Sequence, residues 1–506
     1  MINYWISAKQ IKDDIYIPKY YNPEINQELE DLQKTHVCKT IRQLVNEGVI
    51  EHSTGDEIGK LAYGTGDIPF VRTSDISNWE IKTIPKQGVA RDIYEEYAKK
   101  QDVQEGDILL VRDGTYLIGH NCFISKIDKE LIYQSHIIKI RIKKPEVLEP
   151  ELFFLLLNSD IVQKQIRAIQ FTADIIDTIG QRFNEIVFPI PRSKTNKNYL
   201  VSTVKKAIND RNYGKAFIKH CPKLMEDILI TGSIKPVEDF LNLPPDEIAN
   251  EISSDTVTLE FGGFNNFFIS SKDLKNNIYI PKYYDPTIEE ELSLLEENCY
   301  LISLGELKST GKIEYFTGDE IGKLAYGTGD IPFIRTSDFS NWEIKHNPKQ
   351  GISEEIYEQY NKKEDVQEED ILLVRDGTYL VGSSCIITSY DSKALFCGGL
   401  YKIRSLDKEL LNPYLFLGLL NSYVVKRQIR AKQFTRDVID TIGNRIDEVL
   451  IPIPKNESTR KAISDIIRNT VRSRIQAREN ITSLSKKAIY FDEVDNKNLD
   501  DMKILN

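Results

Sequence analysis

The chain contains one long unit written twice. Thr54–Lys82 and Thr317–Lys345 agree at all but two of their 29 positions and lie 263 residues apart. Solenoid repeats have periods of about 20–50 residues, so a repeat of this length is a whole domain. Two near-identical domains in one chain favour an internal pseudo-twofold that meets a symmetric partner. A two-domain protein with no special geometry is the alternative.

The repeat extends well beyond this stretch. The same offset of 263 residues relates four further pairs of segments, namely Ile15–Tyr21 and Ile278–Tyr284, Leu109–Tyr116 and Leu372–Tyr379, Gln170–Thr172 and Gln433–Thr435, and Pro189–Pro191 and Pro452–Pro454. We therefore expect two equivalent units of mixed α+β class, each with a folded block followed by a long helix.

Runs rich in β-branched residues predict the strands of the first block. They are Val49–Glu51, Pro69–Arg72, Ile108–Arg112 and His136–Ile142. Leu152–Leu157 and Ile161–Ile169 predict helices. Asp113-Gly114 directly follows a predicted strand and indicates a hairpin turn.

A long helix is predicted after each block. Asn196–Ile230 and Thr459–Ile489 each carry one apolar stripe at roughly helical spacing. Such a stripe is too long for its own block to cover, so the sequence favours an antiparallel pair of the two helices. The alternative is two separate helices, each lying on its own block. Pro222 is expected to kink or end the first helix.

These patterns predict six segments in the chain. They are a first recognition block at 1–191, a basic helix at 192–232, a linker at 233–263, a second recognition block at 264–454, a second basic helix at 455–489 and an acidic tail at 490–506.

Charge is segregated along the chain. The net charge of −11 counts by itself against nucleic-acid binding. However, Arg192–Lys223 carries nine bases and one acid, and Lys455–Lys487 carries nine bases and three acids. Two basic helices at equivalent places favour contact with a polyanion. Docking of acidic protein surfaces and a plain solvated helix face are the alternatives.

Most enzyme and membrane classes lack support in the sequence. The N-terminus has no signal-peptide pattern, and no apolar run is long enough to span a membrane. The six cysteines and six histidines form no C-x-x-C or H-x-x-x-H pair, which argues against zinc and for a reducing cytosol. Gly55–Leu61 resembles a phosphate loop but has the wrong spacing. The chain is therefore expected to bind rather than catalyse.

Several ordered motifs carry a resemblance to a known family. Gly66–Ile76 is similar to the G-x-I-P-F-I-R-x-x-D-I run of target-recognition domains in type I restriction-modification specificity subunits. Gly106–Gly114 resembles a second run of that family, and Asp14–Pro23 its usual opening. Pro189–Pro191 and Leu229–Ile234 resemble the exit from the domain and the end of the helix. All but the last recur 263 residues later with a few substitutions.

The resemblance implies a specific function. Such subunits use two target-recognition domains to read a bipartite double-stranded DNA site in phage defence, and two long antiparallel helices separate the domains. Two adenine-N6 methylase subunits, which bind S-adenosylmethionine, and ATP-dependent restriction subunits join them. The chain itself would be a cytoplasmic, non-catalytic subunit with no metal or cofactor of its own. A DNA nuclease with an unrecognised site and a protein-docking scaffold that binds no DNA are the alternatives.

The residues expected to contact DNA lie in these motifs, where basic residues adjoin aromatic or hydroxyl residues. They are Lys19, Tyr20, Arg72, Thr73, Arg112, Thr115, Tyr116, Gln170 and Thr172 in the first copy, and Lys282, Tyr283, Arg335, Thr336, Arg375, Thr378, Tyr379, Gln433, Thr435 and Arg436 in the second.

Each group of candidates also has a purely structural interpretation. Arg72 and Arg335 could form salt bridges with Asp75 and Asp338, and the loops at Arg112 and Arg375 could be plain hairpin turns. The Gln-Phe-Thr segments could cap helices, and the tyrosines could belong to the core. Base discrimination is expected where the copies diverge, at His120-Asn121 against Ser383-Ser384 and at Ala173 against Arg436.

Overall fold

A computed structural model describes residues 4–12, 15–114, 116–128, 130–173, 176–243, 267–275, 277–377, 379–436, 439–487 and 489. The chain divides into two compact units: unit 1 comprises Met1–Asn212 and Arg474–Asn506, and unit 2 comprises Tyr213–Ser473. The predicted tail at 490–506 and most of the predicted linker lie outside the described residues.

The helices occur in the same order in both units. They are α1 (Pro23–Leu32), α2 (Ile41–Asn46), α3 (Arg91–Gln101), α4 (Pro150–Leu157), α5 (Asp160–Ala168), α6 (Lys194–Thr231), α7 (Lys235–Asn242), α8 (Pro286–Leu295), α9 (Leu304–Ser309), α10 (Glu354–Glu364), α11 (Pro413–Leu420), α12 (Tyr423–Lys432) and α13 (Glu457–Lys487).

The strands repeat in the same way. Those of unit 1 are β1 (His36–Thr40), β2 (Ile50–Thr54), β3 (Ile68–Val71), β4 (Ile76–Ser77), β5 (Glu80–Ile81), β6 (Gly88–Val89), β7 (Ile108–Val111), β8 (Asn121–Phe123), β9 (Ile132–Tyr133), β10 (Ile137–Ile142), β11 (Phe171–Ala173), β12 (Ile176–Thr178) and β13 (Val187–Pro191).

Those of unit 2 are β14 (Cys299–Ser303), β15 (Ile313–Thr317), β16 (Ile331–Ile334), β17 (Phe339–Ser340), β18 (Glu343–Ile344), β19 (Gln350–Ile352), β20 (Ile371–Val374), β21 (Ser384–Ile386), β22 (Leu395–Phe396), β23 (Leu400–Ser405), β24 (Phe434–Arg436), β25 (Ile439–Thr441) and β26 (Leu450–Pro454).

Each unit is built on an antiparallel four-stranded sheet. The order is β2-β10-β7-β8 in unit 1 and β15-β23-β20-β21 in unit 2. A three-stranded sheet, β6-β3-β9 or β19-β16-β22, contains one parallel pair of strands. The apolar run of β7 is entirely buried, as expected for a strand covered on both faces.

A wholly apolar helix lies in the core of each unit. In α4, Leu152–Leu157 are all buried, and in α11 every residue is buried. A helix that is apolar on all sides is stable only inside a core, so these segments fix the centre of each block. The predicted helices at Leu152–Leu157 and Ile161–Ile169 are thus confirmed by α4 and α5.

The two long helices pair in antiparallel order, as predicted. In unit 1, Leu200 and Val204 of α6 share one core with Ile481 and Leu484 of α13. In unit 2, the hydroxyl of Thr459, near the start of α13, donates to the carbonyl of Gly232, just after the end of α6. The first half of one helix therefore packs against the second half of the other in each unit.

Pro222 does not end the first helix. Helix α6 continues through it to Thr231. The predicted hairpin turn at Asp113-Gly114 is also different in the structure, because β7 and β8 pair antiparallel but are joined by the longer segment 112–120. Helix α7 supplies local structure in the segment predicted as a linker.

Candidate nucleic-acid interface

The first part of the candidate interface is a short β-hairpin, which is present in both units. In unit 1 it is β11–β12, and the Asp177 carboxylate braces it by accepting from Gln170 Nε2 at 2.8 Å and from Thr172 Oγ1 at 2.6 Å. Asp440 accepts from Gln433 and Thr435 at 3.0 and 2.6 Å in unit 2. Hydrogen bonds from Thr172 and Gln170, with the charge of Lys19, lower the pKa of Asp177. These glutamine and threonine side chains therefore shape the hairpin and do not cap a helix.

An arginine that sequence reasoning missed supports the hairpin from behind. Arg182 donates to the carbonyls of Ile169 and Thr178 at 3.0 and 3.1 Å, and its guanidinium lies 4.2 Å from the centre of the Phe171 ring. Arg445 makes the equivalent contacts in unit 2. Its recurrence 263 residues later, two residues after a glycine, was the signal that could have found it.

The segment after β7 lies against this hairpin. Gly114 N donates to Asp177 O at 2.9 Å, and Ile179 N donates to Arg112 O at 3.2 Å. Gly377 and Ile442 make the same two contacts with Asp440 and Arg375 in unit 2. Each unit thus brings its candidate arginine next to the hairpin that carries the candidate glutamine and threonine. Thr115 and Thr378 lie outside the described residues.

Arg112 is held by its neighbour in the chain. Its Nε lies 3.1 Å from both carboxylate oxygens of Asp113, and its Nη2 lies 2.8 Å from Oδ2. His136 Nδ1 donates to the same oxygen at 2.8 Å. Burial acts to raise the pKa of Asp113, but hydrogen bonds from Arg112, Thr178 and His136 outweigh it and lower that pKa. Asp113 is therefore an ionised anchor for Arg112.

Arg72 and Arg335 do not form the salt bridges offered as their structural interpretation. The Asp75 carboxylate accepts instead from the main-chain amide of Arg72 at 3.0 Å, and Asp338 does the same for Arg335 at 2.9 Å. Each guanidinium lies 6.0 Å from a tyrosine ring, Tyr63 or Tyr326. Thr73 and Thr336 follow directly, and both are partly exposed.

The tyrosines at the start of each unit belong to the support of the hairpin. The Tyr20 hydroxyl donates to Glu185, and its ring centre lies 5.8 Å from that of Phe171. Tyr283 is arranged in the same way with Glu448 and Phe434. Lys19 and Lys282 are both exposed. The lysines thus remain candidates for a phosphate contact, whereas the tyrosines are packing residues.

Tyr116 and Tyr379 protrude beside the same loop. Their side chains are 44% and 41% exposed. The carbonyl of each accepts a hydrogen bond from an arginine of the neighbouring helix, Arg167 of α5 or Arg430 of α12, at 3.5 and 2.8 Å. An exposed aromatic ring on an anchored main chain is suited to contact with a ligand outside the protein.

One expected pair of discriminating positions lies in the core. Asn121 is buried and exchanges two 2.9 Å hydrogen bonds with Asn158, whereas buried Ser384 accepts from Asn421 Nδ2 at 3.0 Å. The difference between Asn121 and Ser384 is thus absorbed by packing inside each unit, whereas the adjoining His120 and Ser383 are partly exposed. For Ala173 and Arg436, only the main chain is described.

Several basic residues of the long helices face inward. In unit 1, Arg211 and Arg474 are buried, and both guanidiniums lie against the buried carboxylate of Glu80. Lys215 and Arg478 are buried as well. The local positive charge of the helices therefore does not form one continuous exposed face, and the polyanion contact suggested by the charge count does not apply to these residues.

Comparison with protein-family models identifies the domain. The model described as type I restriction modification DNA specificity domain matches residues 46–209 and 297–483. The chain belongs to this family. The two matches fall in the two copies of the repeat, so each copy of the repeat carries one such domain. No curated protein matches the chain.

Solved structures of type I specificity subunits also align with the chain. The S subunit from M. genitalium has 12% identity and a TM-score of 0.33, covering 90% of this chain and 96% of its own. The HsdS subunit from Thermoanaerobacter tengcongensis has 16% identity and a TM-score of 0.25, covering 90% and 94%. A structure concerned with assembly and conformational transition of the type I R-M system has 14% identity and a TM-score of 0.26, covering 90% and 96%.

Metal and membrane sites find no support in the described part of the chain. No group of three or more histidine, cysteine, aspartate or glutamate side chains there could hold a metal ion. Within the same residues, none of the helices is both long and apolar enough to cross a bilayer.

Proposed function

We propose that this chain is the DNA-recognition subunit of a type I restriction-modification complex and reads a bipartite double-stranded target. One observation carries the proposal: each of the two family domains has the same β-hairpin, braced by an equivalent aspartate, beside the loop that begins at Arg112 or Arg375 and is called the arginine loop below. A duplicated recognition surface suits a target with two half-sites.

The DNA contacts are proposed to come from the exposed parts of this surface. Arg72, Arg112, Tyr116 and Lys19 would provide them in unit 1, and their counterparts Arg335, Arg375, Tyr379 and Lys282 in unit 2. Thr73, Thr336, Thr115, Thr378 and Arg436 complete the set. Tyr20, Tyr283, Gln170, Thr172, Gln433 and Thr435 would act indirectly, because they hold the hairpin in place.

The chain is proposed to supply recognition but no chemistry. Two adenine-N6 methylase subunits would bring S-adenosylmethionine, and ATP-dependent restriction subunits would bring cleavage, in the cytoplasm. Support comes from family membership and from the antiparallel helix pair, because each unit contains one half of both long helices.

The decisive experiment compares the chain alone with the chain plus a methylase subunit. The isolated chain, given S-adenosylmethionine and then magnesium with duplex DNA, should neither methylate nor cut. With a cognate methylase subunit, it should direct N6-adenine methylation to a two-part site. Cleavage by the isolated chain would support a nuclease instead, and absence of salt-dependent DNA binding by the complex would support a protein scaffold.

A further inference from the structure

The arginine loop has the same sequence in both units but a different arrangement. Arg112 lies side-on against Asp113, with three contacts of 2.8–3.1 Å. Arg375 instead donates through Nη1 to the carbonyl of Gly398 at 3.3 Å and lies 5.8 Å from the centre of the Tyr401 ring. Identical residues therefore present their donors differently.

The two loops also differ at a position that contacts the aspartate. In unit 1, His136 donates to Asp113 and fixes it. The equivalent residue in unit 2 is Gly399, so Asp376 loses this support. Arg375 Nε and Asp376 Oδ1 lie 3.3 Å apart, yet neither atom has a hydrogen bond to any described residue.

Gly399 is closely packed, so a side chain at this position would require a shift of Thr336. A Cβ atom on Gly399 would lie 2.9 Å from Thr336 Cγ2 and 3.9 Å from Asp376 Cβ. Arg375 and Asp376 line a cleft of about 570 Å³ together with Phe434, Thr435 and Ile439. In unit 2, therefore, the ion pair of Arg375 and Asp376 lacks the histidine partner and lies on the wall of this cleft.

Two further positions near the arginine also differ between the units. Unit 1 has His52, which bonds to Asn184 at 3.0 Å, and buried Ile138. Unit 2 has Tyr315 and Tyr401 at these positions, with ring centres 5.6 Å apart. By contrast, Thr54–Lys82 and Thr317–Lys345 are almost identical. Divergence is thus concentrated around the arginine loop.

From this geometry we infer that one equivalent position, His136 in unit 1 and Gly399 in unit 2, determines which base pair each unit accepts. This inference rests on the proposed function. Unit 1 offers the donors of an arginine whose carboxylate partner is already occupied, which suits the acceptor edge of guanine. Unit 2 offers arginine donors and the Asp376 carboxylate together, which suits a base-pair edge that includes an exocyclic amino donor of cytosine or adenine. The two half-sites should therefore differ at this base pair.

The test uses the full chain with its methylase subunit and a DNA library in which each position of both half-sites is randomised. Two variants are compared with the wild type: His136→Gly, which removes the support of Asp113, and Asp376→Asn, which removes the carboxylate acceptor at nearly constant volume. Each should change the preference at one base pair by at least about five-fold, in its own half-site only. The untouched half-site reports within the same molecule that the variant is folded.

The outcomes separate this inference from the proposed function. A wild type that prefers the same base pair at this position in both half-sites would overturn the inference, as would two variants whose preferences match the wild type. A wild-type complex without sequence-dependent binding would overturn the proposed function, and the inference with it. A change confined to one base pair of one half-site supports both.

Discussion

The Glu80 carboxylate and the Arg474 guanidinium form a buried ion pair across 394 residues of chain, with 2.5 Å between Glu80 Oε1 and Arg474 Nη2. Arg211 Nη2 lies 3.3 Å from the same oxygen. Arg474 and Arg211 also donate to each other's carbonyls, at 2.9 and 3.2 Å. One strand carboxylate thus contacts an arginine of each long helix in unit 1.

Glu80→Gln should destabilise unit 1 strongly. A buried ion pair contributes little net stability when intact, but removal of one partner leaves an uncompensated buried charge and costs about 3–5 kcal/mol. Chemical denaturation should show a lower free energy of unfolding by this amount. The matched control is Glu130→Gln, because Glu130 pairs with Arg91 at an exposed site and should contribute about 1 kcal/mol or less. Equal effects of the two variants would contradict a buried role for Glu80.

This ion pair shows why charge counts mislead along a sequence. The run of bases on each long helix was visible, but a count does not say which side of the helix faces the protein. The partner of Arg211 and Arg474 is a glutamate on a two-residue strand, far away in the chain. Contacts of that kind depend on the tertiary fold and have no local signal.

Local patterns were more informative. The strands β2, β3, β7 and β10 and the helices α4 and α5 lie where alternating or continuous apolar runs predicted them, because burial dictates those patterns directly. The hairpin brace was also within reach, since Asp177 is only five residues from Thr172 and recurs as Asp440. The exchange of His136 for Gly399 was overlooked, because its meaning depends on its contact with Asp113.

Arg436→Ala tests the divergent hairpin position. Its main chain pairs with Ile439 in β24–β25, and unit 1 has Ala173 there. We expect a phosphate contact, because most protein–DNA hydrogen bonds go to the backbone. Binding of the methylase complex should weaken for all sequences, and the slope of log affinity against log salt should fall by about 0.9. A guanine contact would instead cost about 1–3 kcal/mol and relax one base.

The reciprocal variant Ala173→Arg is the control for this prediction. If the hairpins of both units approach DNA in the same way, the added cation should raise the salt slope by about the amount that Arg436→Ala removes. An unchanged affinity and salt slope in both variants would remove these hairpin positions from the DNA interface.

The long helices should set the spacer between the half-sites. At 1.5 Å per residue, the 38 residues of α6 and the 31 of α13 correspond to about 57 and 46 Å. Seven residues inserted after Asn212 in one helix and after Ser473 in the other would leave each compact unit intact. Methylation should then move to sites with a longer spacer and unchanged half-sites. Insertion into α6 alone is the control and should abolish methylation, and a continuous recognition site would contradict the prediction.

Glu364 should make unit 2 less stable as the pH rises. Burial raises its pKa to about 7, and its carboxylate accepts from Phe396 N at 2.8 Å and Asp319 N at 3.1 Å. The equivalent residue in unit 1 is Gln101, whose Nε2 donates to Asp56 at 3.0 Å. In unit 2, by contrast, buried Asp319 Oδ2 has no hydrogen bond to a described residue. Glu364→Gln would supply the missing donor and remove a buried acid.

The sign of the pH effect follows from proton linkage. Between about pH 4.3, where an unfolded glutamate ionises, and the folded pKa of about 7, the folded state holds one more proton than the unfolded state. Stability is therefore lost as the pH rises through this window, by about 4 kcal/mol in total. Glu364→Gln should not show this loss, so its advantage over the wild type in urea unfolding should be about 3 kcal/mol larger at pH 8 than at pH 4.5. Exposed Glu355→Gln on the same helix is the control and should show no such trend, and an advantage of Glu364→Gln that is equal at both pH values would show that Glu364 is ionised in the folded state.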